Sequence, residues 1–275
     1  MFPAEVVIIS VHSAKFPAEK LTANIRAAVM RHGIAHPVVN DADLDVWSQY
    51  SVRAWPTVVL VDPAGKVVGQ QSGEIEATAL GEVIAAMIAD FDGQGLLNRT
   101  PIAGLQPEIA KAAQHLLSFP SKLLYAVGDR LFIADTGHQR ILEVQLMPDG
   151  FSGEIVRIFG SGEPSWQDGS IQQARFHDPH GMALVGATLY VADTENHAIR
   201  AIHKIKTLDP TTGQVQTLIG TGQPGTTDGP FASAQLYEPE GLVVAEGKIY
   251  IADTNNHLIR VADLKEKRVS TLGIK

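Results

Sequence analysis

One twelve-residue pattern is written three times in this chain, and it limits the architecture more than any other feature. It reads LFIADTGHQRIL from Leu131 to Leu142, LYVADTENHAIR from Leu189 to Arg200 and IYIADTNNHLIR from Ile249 to Arg260. The aspartates at 135, 193 and 253 stand 58 and 60 residues apart, and a nearly constant pitch of this size marks a repeat architecture. Each copy is an alternating apolar run, a polar corner and a second alternating run. That pattern predicts two antiparallel strands joined by a tight turn.

The segments between the copies repeat as well. Phe159-Gly160-Ser161-Gly162, Pro164, Asp168-Gly169 and Pro179-His180-Gly181 return as Ile219-Gly220-Thr221-Gly222, Pro224, Asp228-Gly229 and Pro239-Glu240-Gly241. A whole unit holds four β-prone runs, for example Met182 to Val185, Leu189 to Ala192, Ala198 to His203 and Gln214 to Ile219. Four antiparallel strands per unit describe a propeller blade. At these residues the motif Ala-Asp-Thr-x-Asn-His-x-Ile-Arg resembles the NHL repeat. The match is specific in the second and third units and weaker in the first, where His138 and Gln139 occupy the Asn-His positions and Leu142 replaces arginine. The resemblance implies a propeller, usually six-bladed, that mostly binds partners. Blades are expected at about 119–160, 176–220 and 236–273.

The N-terminal part reads differently. Glu5 to Val11 is an apolar run typical of a strand buried on both faces. A helix is expected from about Ala18 to His32, with Leu21, Ile25, Ala28 and Val29 on one stripe and Gly33 past its end. His36 to Val39 and Trp55 to Val61 read as strands separated by a short helix at Ala42 to Tyr50. An Asp62-Pro63-Ala64-Gly65 turn leads into Lys66 to Gln70. Leu80, Val83, Ile84, Met87 and Ile88 then define an amphipathic helix. Strands alternating with helices make this part α/β.

VHSAKF at 11–16, HPVVND at 36–41 and VRAWPT at 52–57 resemble the thioredoxin-like domain that precedes the propeller in NHL-repeat-containing thioredoxin-like proteins. The domains implied are an incomplete thioredoxin-like domain at 1–91, a linker at 92–118 with helical turns at Glu108 to Leu117, and blades at 119–275. In the family a strand and helix carrying Cys-x-x-Cys precede the strand that begins here at Glu5. By resemblance Trp55, Pro56 and Thr57 form the cis-proline loop that faces those cysteines. This chain has no cysteine. It therefore reads as a piece of a longer protein, with a homodimer that completes a six-bladed ring as the alternative, since oligomers favour closed two-fold symmetry.

Composition narrows the classes further. Residues 1–95 carry six basic and eleven acidic side chains and the remainder sixteen and nineteen, so neither part has the cationic excess that nucleic-acid backbones select for. No apolar run approaches the roughly 20 residues of a membrane span. The N-terminus shows no basic-then-apolar signal segment, which favours a cytoplasmic over a secreted location. Without thiols, disulfides and thiolate metal sites are excluded for this chain.

Candidate sites were weighed against structural readings of the same residues. Asp135, Asp193 and Asp253 suit turns, their carboxylates accepting N–H groups of the corner. Asn196, His197, Asn256 and His257 lie in the same corners, where asparagine tolerates left-handed dihedrals and histidine can tie one strand to its neighbour. They could also present a polar rim to a ligand. Arg200 and Arg260 suit pairing with carboxylates of adjacent blades or solvating a strand face. His180 and Glu240, between proline and glycine at the start of a channel-lining strand, are the first candidates for ligand contact. Asp41-Ala42-Asp43-Leu44-Asp45 begins like a calcium loop but has Val46 at the glycine position, so an acidic helix start accounts for it. The Gly-x-Gly pairs lack the helix that a dinucleotide loop requires. No cofactor, catalytic residue or metal ligand is expected.

The function expected is binding of a protein or peptide across the propeller face, beside a redox-inactive thioredoxin-like domain. The alternative is a fragment of a thiol-disulfide oxidoreductase whose Cys-x-x-Cys lies upstream. Because the α/β part lacks the strand and helix of the full fold, residues 1–90 alone should be weakly stable. Urea unfolding of that segment is expected to show a broad transition at low denaturant, and one cooperative transition of high stability would contradict this.

Overall fold

In the computed structural model of the protein, residues 5–100, 102, 107–108, 115–205 and 212–274 are described. The chain divides into two compact units, 1–114 and 115–275. Most of the expected helix at Glu108 to Leu117 lies outside the described residues.

In the first unit β1 (Ser10–Ser13) pairs in parallel with β2 (Val38–Asp41). The helix α1 (Thr22–Arg31) connects them. Strand pairing begins at Ser10, not at Glu5, and Val7, Ile8 and Ile9 are more than half exposed. β1 hydrogen-bonds to β2 alone in this sheet, so the two-sided cover that the apolar run suggested is missing among the described residues. α1 is also shorter than expected, because Pro17–Lys20 form a separate 3-10 turn and Leu21 is extended. Ile25 and Val29 are its buried stripe, while Leu21 is exposed. The helix stops as its sequence requires: Gly33 takes φ +59, and the Ile34 N–H reaches back to the Val29 carbonyl at 3.0 Å.

A second helix, α2 (Asp45–Gln49), starts beneath Asp41, whose carboxylate accepts the N–H groups of Val46 and Trp47 at 2.9 Å each. Asp41 is an anchor for a helix start and not a calcium ligand. β3 (Thr57–Val61) and β4 (Val67–Ser72) form an antiparallel pair. Their turn is closed by Asp62, which accepts from the N–H groups of Ala64 and Lys66. α3 (Ala77–Gly93) follows, with Leu80, Ile84, Met87 and Ile88 half-buried on one face.

The second unit is all β. Its first sheet is β5 (Lys122–Ala126), β6 (Arg130–Asp135), β7 (Arg140–Leu146) and β8 (Gly153–Phe159), antiparallel and in chain order. The second has β9 (Gly169–Ser170), β10 (Pro179–Val185), β11 (Thr188–Asp193), β12 (Ala198–His203) and β13 (Gln214–Ile219). The third has β14 (Gly229–Pro230), β15 (Pro239–Ala245), β16 (Lys248–Asp253), β17 (Leu258–Asp263) and β18 (Arg268–Thr271). Sheets two and three thus have five strands, not four. The extra two-residue strands, β9 and β14, cover the outer edges of β13 and β18. Pairing there caps backbone groups that an open edge would leave to solvent.

The sheets pack face to face. Phe132, Ala134, Ile141 and Phe159 of the first lie against Met182, Leu189, Val191 and Ile202 of the second. Ala192, Ile199 and Ile219 on the second sheet's other face meet Leu236, Ile249 and Ile251 of the third. The inner strands approach most closely at Gly181, where an added Cβ would overlap the Glu240 carbonyl oxygen. That contact is with backbone and cannot move aside cheaply. Gly181→Ala is expected to cost about 1–3 kcal/mol through overpacking, read as a lowered thermal midpoint.

Candidate functional site

Each repeated corner is a buried ion-pair assembly. Asp193 and Arg200 are both fully buried, with Arg200 Nη1 2.6 Å from Asp193 Oδ2. The other carboxylate oxygen accepts the His177 N–H at 2.7 Å, and Asn196 donates to Oδ2 at 2.8 Å. Arg200 continues outward: it donates to the carbonyls of Arg175 and Gln167 and to Asp168 Oδ1 at 2.7 Å. Asp168 in turn accepts the N–H and hydroxyl of Thr217 on β13. One guanidinium therefore ties the corner, the incoming connection and the outermost long strand of the same sheet.

The third sheet repeats the assembly. Arg260 binds Asp253 at 2.9 Å, Asp228 at 2.7 Å and the carbonyls of Gln235 and Thr227. Burial pushes the Asp228 carboxyl up, but hydrogen bonds from Arg260 and Thr271 outweigh it and hold the group below its ordinary value. Burial raises the Asp193 carboxyl, against the charge of Arg200 and the donors around it.

Two expectations are corrected here. The arginines pair with carboxylates of their own sheet, not of a neighbouring one, because their side chains run inward along the sheet. The aspartates accept N–H groups from the segment leading into the sheet (Ser118, His177 and Tyr237), not from the corner itself. In the first sheet, where Leu142 stands at the arginine position, Arg140 donates its Nε to Asp135 at 2.8 Å and His138 lies 2.9 Å from the same oxygen. Arg140 carries no repeat signal because it occupies the position of Ala198, directly opposite Asp135 in the β6–β7 register.

The corner asparagines are not the left-handed residues. His197 and His257 are, with φ +52 and +55, while Asn196 and Asn256 are spent on Asp193 and Asp253 and on the Ser165 and Gly225 carbonyls. His197 does tie neighbouring elements. Its Nδ1 accepts the Glu238 N–H at 3.2 Å, and its ring meets Tyr237 edge-on. His257 is exposed and has no such contact among the described residues.

His180 and Glu240 are half-buried at the starts of β10 and β15. His180 Nδ1 lies 2.9 Å from the Asp178 carbonyl and 3.1 Å from the Thr194 hydroxyl, which orients its ring. Ser121 holds the matching place before β5, one residue after Pro120, and is exposed. Serine, histidine and glutamate therefore occupy one position in three equivalent sheets. In the first unit the Trp55–Pro56 peptide is cis, Trp55 donates its indole N–H to the Ser13 carbonyl, and its ring lies 4.3 Å from Trp47. Thr57 donates to the Ala54 carbonyl and contacts Ser72. Among the described residues no three His, Asp or Glu side chains converge as metal ligands, and no helix is long and apolar enough to cross a membrane.

The paired charges set a clear mutational expectation. Arg200→Met removes the guanidinium and leaves Asp193 buried without its counter-charge, at an expected cost of about 3–5 kcal/mol. Denaturant unfolding of the 115–275 unit should show it, whereas an unchanged midpoint would mean that the pair does not hold the corner.

Comparison with known proteins agrees with the repeat. The family model described as NHL repeat matches residues 236–262, which run from the lead-in of the third sheet through β17. Protein SUPPRESSOR OF QUENCHING 1, chloroplastic, from Arabidopsis thaliana is 39% identical over 262 residues, covering 92% of this chain and 24% of that protein. NHL repeat-containing protein 2 from Homo sapiens is 38% identical over 222 residues, covering 80% of this chain and 29% of that protein. The chain thus spans roughly a quarter of the length of these relatives. A solved auxiliary nutrient binding protein from Bacteroides ovatus matches 55% of this chain and 37% of its own at 22% identity and a TM-score of 0.44. Residues 236–262, with the third corner, therefore match the NHL repeat, and most of the chain is similar to part of two longer proteins, one of them named for that repeat.

Proposed function

We propose that this chain is a binding scaffold. Its three sheets are propeller blades that take a protein or peptide at the rim formed by their inner strands, and its α/β unit is a redox-inactive thioredoxin-like companion. One observation carries this reading. The polar residues that recur, Asp193 with Arg200 and Asp253 with Arg260, are buried and paired with one another, while the position that varies, Ser121, His180 and Glu240, lies at the starts of the inner strands. A rigid frame with variable positions at one end is how repeat folds separate scaffold from recognition. The NHL repeat at 236–262 and the similarity to NHL repeat-containing protein 2 support the reading. It also includes pairing of two copies into one ring.

A second reading rests on the share of the relatives that this chain covers. With 24% to 29% of those proteins represented, the chain matches only part of longer proteins, and in this second reading the longer protein is a thiol-disulfide oxidoreductase whose Cys-x-x-Cys lies upstream. Trp55, Pro56 and Thr57 would then form the wall that faces the substrate. Sequencing the flanking reading frame separates the two: an upstream Cys-x-x-Cys favours the enzyme, and its absence favours the scaffold.

The binding reading is tested by selecting ligands from a random peptide library on the intact chain and measuring them against variants. His180→Ala and Glu240→Ala are each expected to weaken the selected peptides by roughly 1–2 kcal/mol while leaving the thermal midpoint in place. Affinities unchanged in both variants would remove the rim from consideration.

A further inference from the structure

The hydrogen bonds around His180 leave its neutral ring one tautomer, and the tautomer decides what the ring can bind. His180 Nδ1 lies 2.9 Å from the Asp178 carbonyl oxygen and 3.1 Å from the Thr194 hydroxyl oxygen. A carbonyl oxygen only accepts, so the network assigns a proton to Nδ1. The hydroxyl cannot supply that proton, because Thr194 already donates its own to the Pro239 carbonyl at 2.8 Å. In the neutral ring a proton on Nδ1 leaves a lone pair on Nε2. Any group that meets Nε2 must therefore donate. The groups that set the ring all lie between residues 178 and 239, on or beside the second sheet, which has a sheet packed on each face.

The neighbouring position has the same character. Gly181 lies so close to the Glu240 carbonyl that residues 180 and 240 are neighbours across the packed second and third sheets. An ionised glutamate is also acceptor-only. The lead-ins and corners around the two residues, 177–181, 193–197, 237–241 and 253–257, contain no lysine or arginine. Within them Asp193 and Asp253 are met by the buried Arg200 and Arg260, which leaves the charges of Asp178, Glu195, Glu238 and Glu240. On the first sheet the matching stretch carries Lys122, so the acceptor character belongs to sheets two and three.

We infer that the rim of the second and third sheets takes a basic side chain of a peptide, lysine or arginine, whose N–H group donates to His180 Nε2 and whose charge lies beside Glu240. The inference rests on reading the inner-strand starts as the binding rim, and it adds the chemistry of what is bound there. An acceptor already held in place by Asp178 and Thr194 is not reoriented when the ligand arrives, so little ordering opposes binding. A ligand group that only accepts would meet Nε2 lone pair to lone pair, which excludes it as firmly as the donor is favoured.

Peptides selected from a random library on the intact chain test it. The expected result is enrichment of lysine or arginine at one position, and a loss of at least about tenfold in affinity when that residue is replaced by norleucine, which keeps the stem and removes the donor and the charge. Two variants then place the contact. His180→Asn can still donate to the Asp178 carbonyl but is too short to reach the place of Nε2, whereas His180→Gln carries an amide oxygen to it. In the asparagine variant the norleucine replacement should cost no more than about twofold, and in the glutamine variant most of the original difference should remain. Thermal midpoints of both variants check that the frame is intact. Selected peptides without a basic residue, or a norleucine penalty as large in His180→Asn as in the original chain, would overturn the inference and leave peptide binding itself standing. Binding abolished by a chelator would also overturn it, by giving Nε2 to a divalent cation. A library that yields no binder would overturn the inference and the reading beneath it together.

Discussion

The buried aspartate–arginine pair is the constraint on which the rest of the β unit depends. Neither group can be left in an apolar interior without its partner, and removing one strands the other's charge. Each pair must therefore be clothed with hydrogen bonds at the carboxylate and the terminal guanidinium nitrogens, and clothing it fixes the chain path. Arg200 can occupy its Nη1 and Nη2 donors only if the connection through Gln167, Asp168 and Arg175 folds back over the sheet. Asp193 can satisfy its second oxygen only if His177 leads into β10 at one place. The register of a five-strand sheet thus follows from the needs of two side chains, and the same needs recur at Asp253 and Arg260.

That network also explains why the first sheet departs from the motif without losing its shape. Leu142 removes the arginine, and the hydrophobic cluster of Ile133, Leu142 and Val144 takes its place on that face. The charge of Asp135 is then met by Arg140 at the start of β7, and His138 of the corner lies within hydrogen-bond distance of the same oxygen. A second buried carboxylate, Glu143, is held by Arg130 at 2.6 Å. The demand for compensation persists while the residues that meet it change.

Much of the β unit was legible in the sequence because its information is local and repeated. Alternation gives the four long strands of the second sheet, two of them to the residue, and the recurrence of Asp168-Gly169 as Asp228-Gly229 marks a connection with a structural duty. What stayed hidden was direction. Nothing in the letters said whether Arg200 turns toward its own sheet or the next, or that Asp193 receives an N–H sixteen residues upstream, because hydrogen bonds across a fold leave no periodic trace. The two-residue strands β9 and β14 escaped for a related reason: two residues cannot show alternation. In the α/β unit the apolar run at Glu5 to Val11 reads as doubly buried, yet burial belongs to the neighbours of a strand and not to the strand, and among the described residues β1 pairs only with β2. The rim positions were found by a different signal, variation at a fixed place between Pro and Gly. Ser121 was missed because Lys122 follows it where the other two sheets have glycine.

The glycine itself ties scaffold to recognition. Gly181 is needed where β10 runs against the Glu240 backbone, so the inner strands approach closely only because one of them lacks a side chain there. His180 and Glu240, immediately before their glycines, are carried on the parts of the strands that this approach holds in place. Their spacing is therefore set by backbone packing, which the sequence fixes through glycine, while their chemistry is left free to vary. On the proposed binding reading, such a surface would change what it takes by substitution at one residue per sheet, while the buried ion pairs that hold the frame stay as they are.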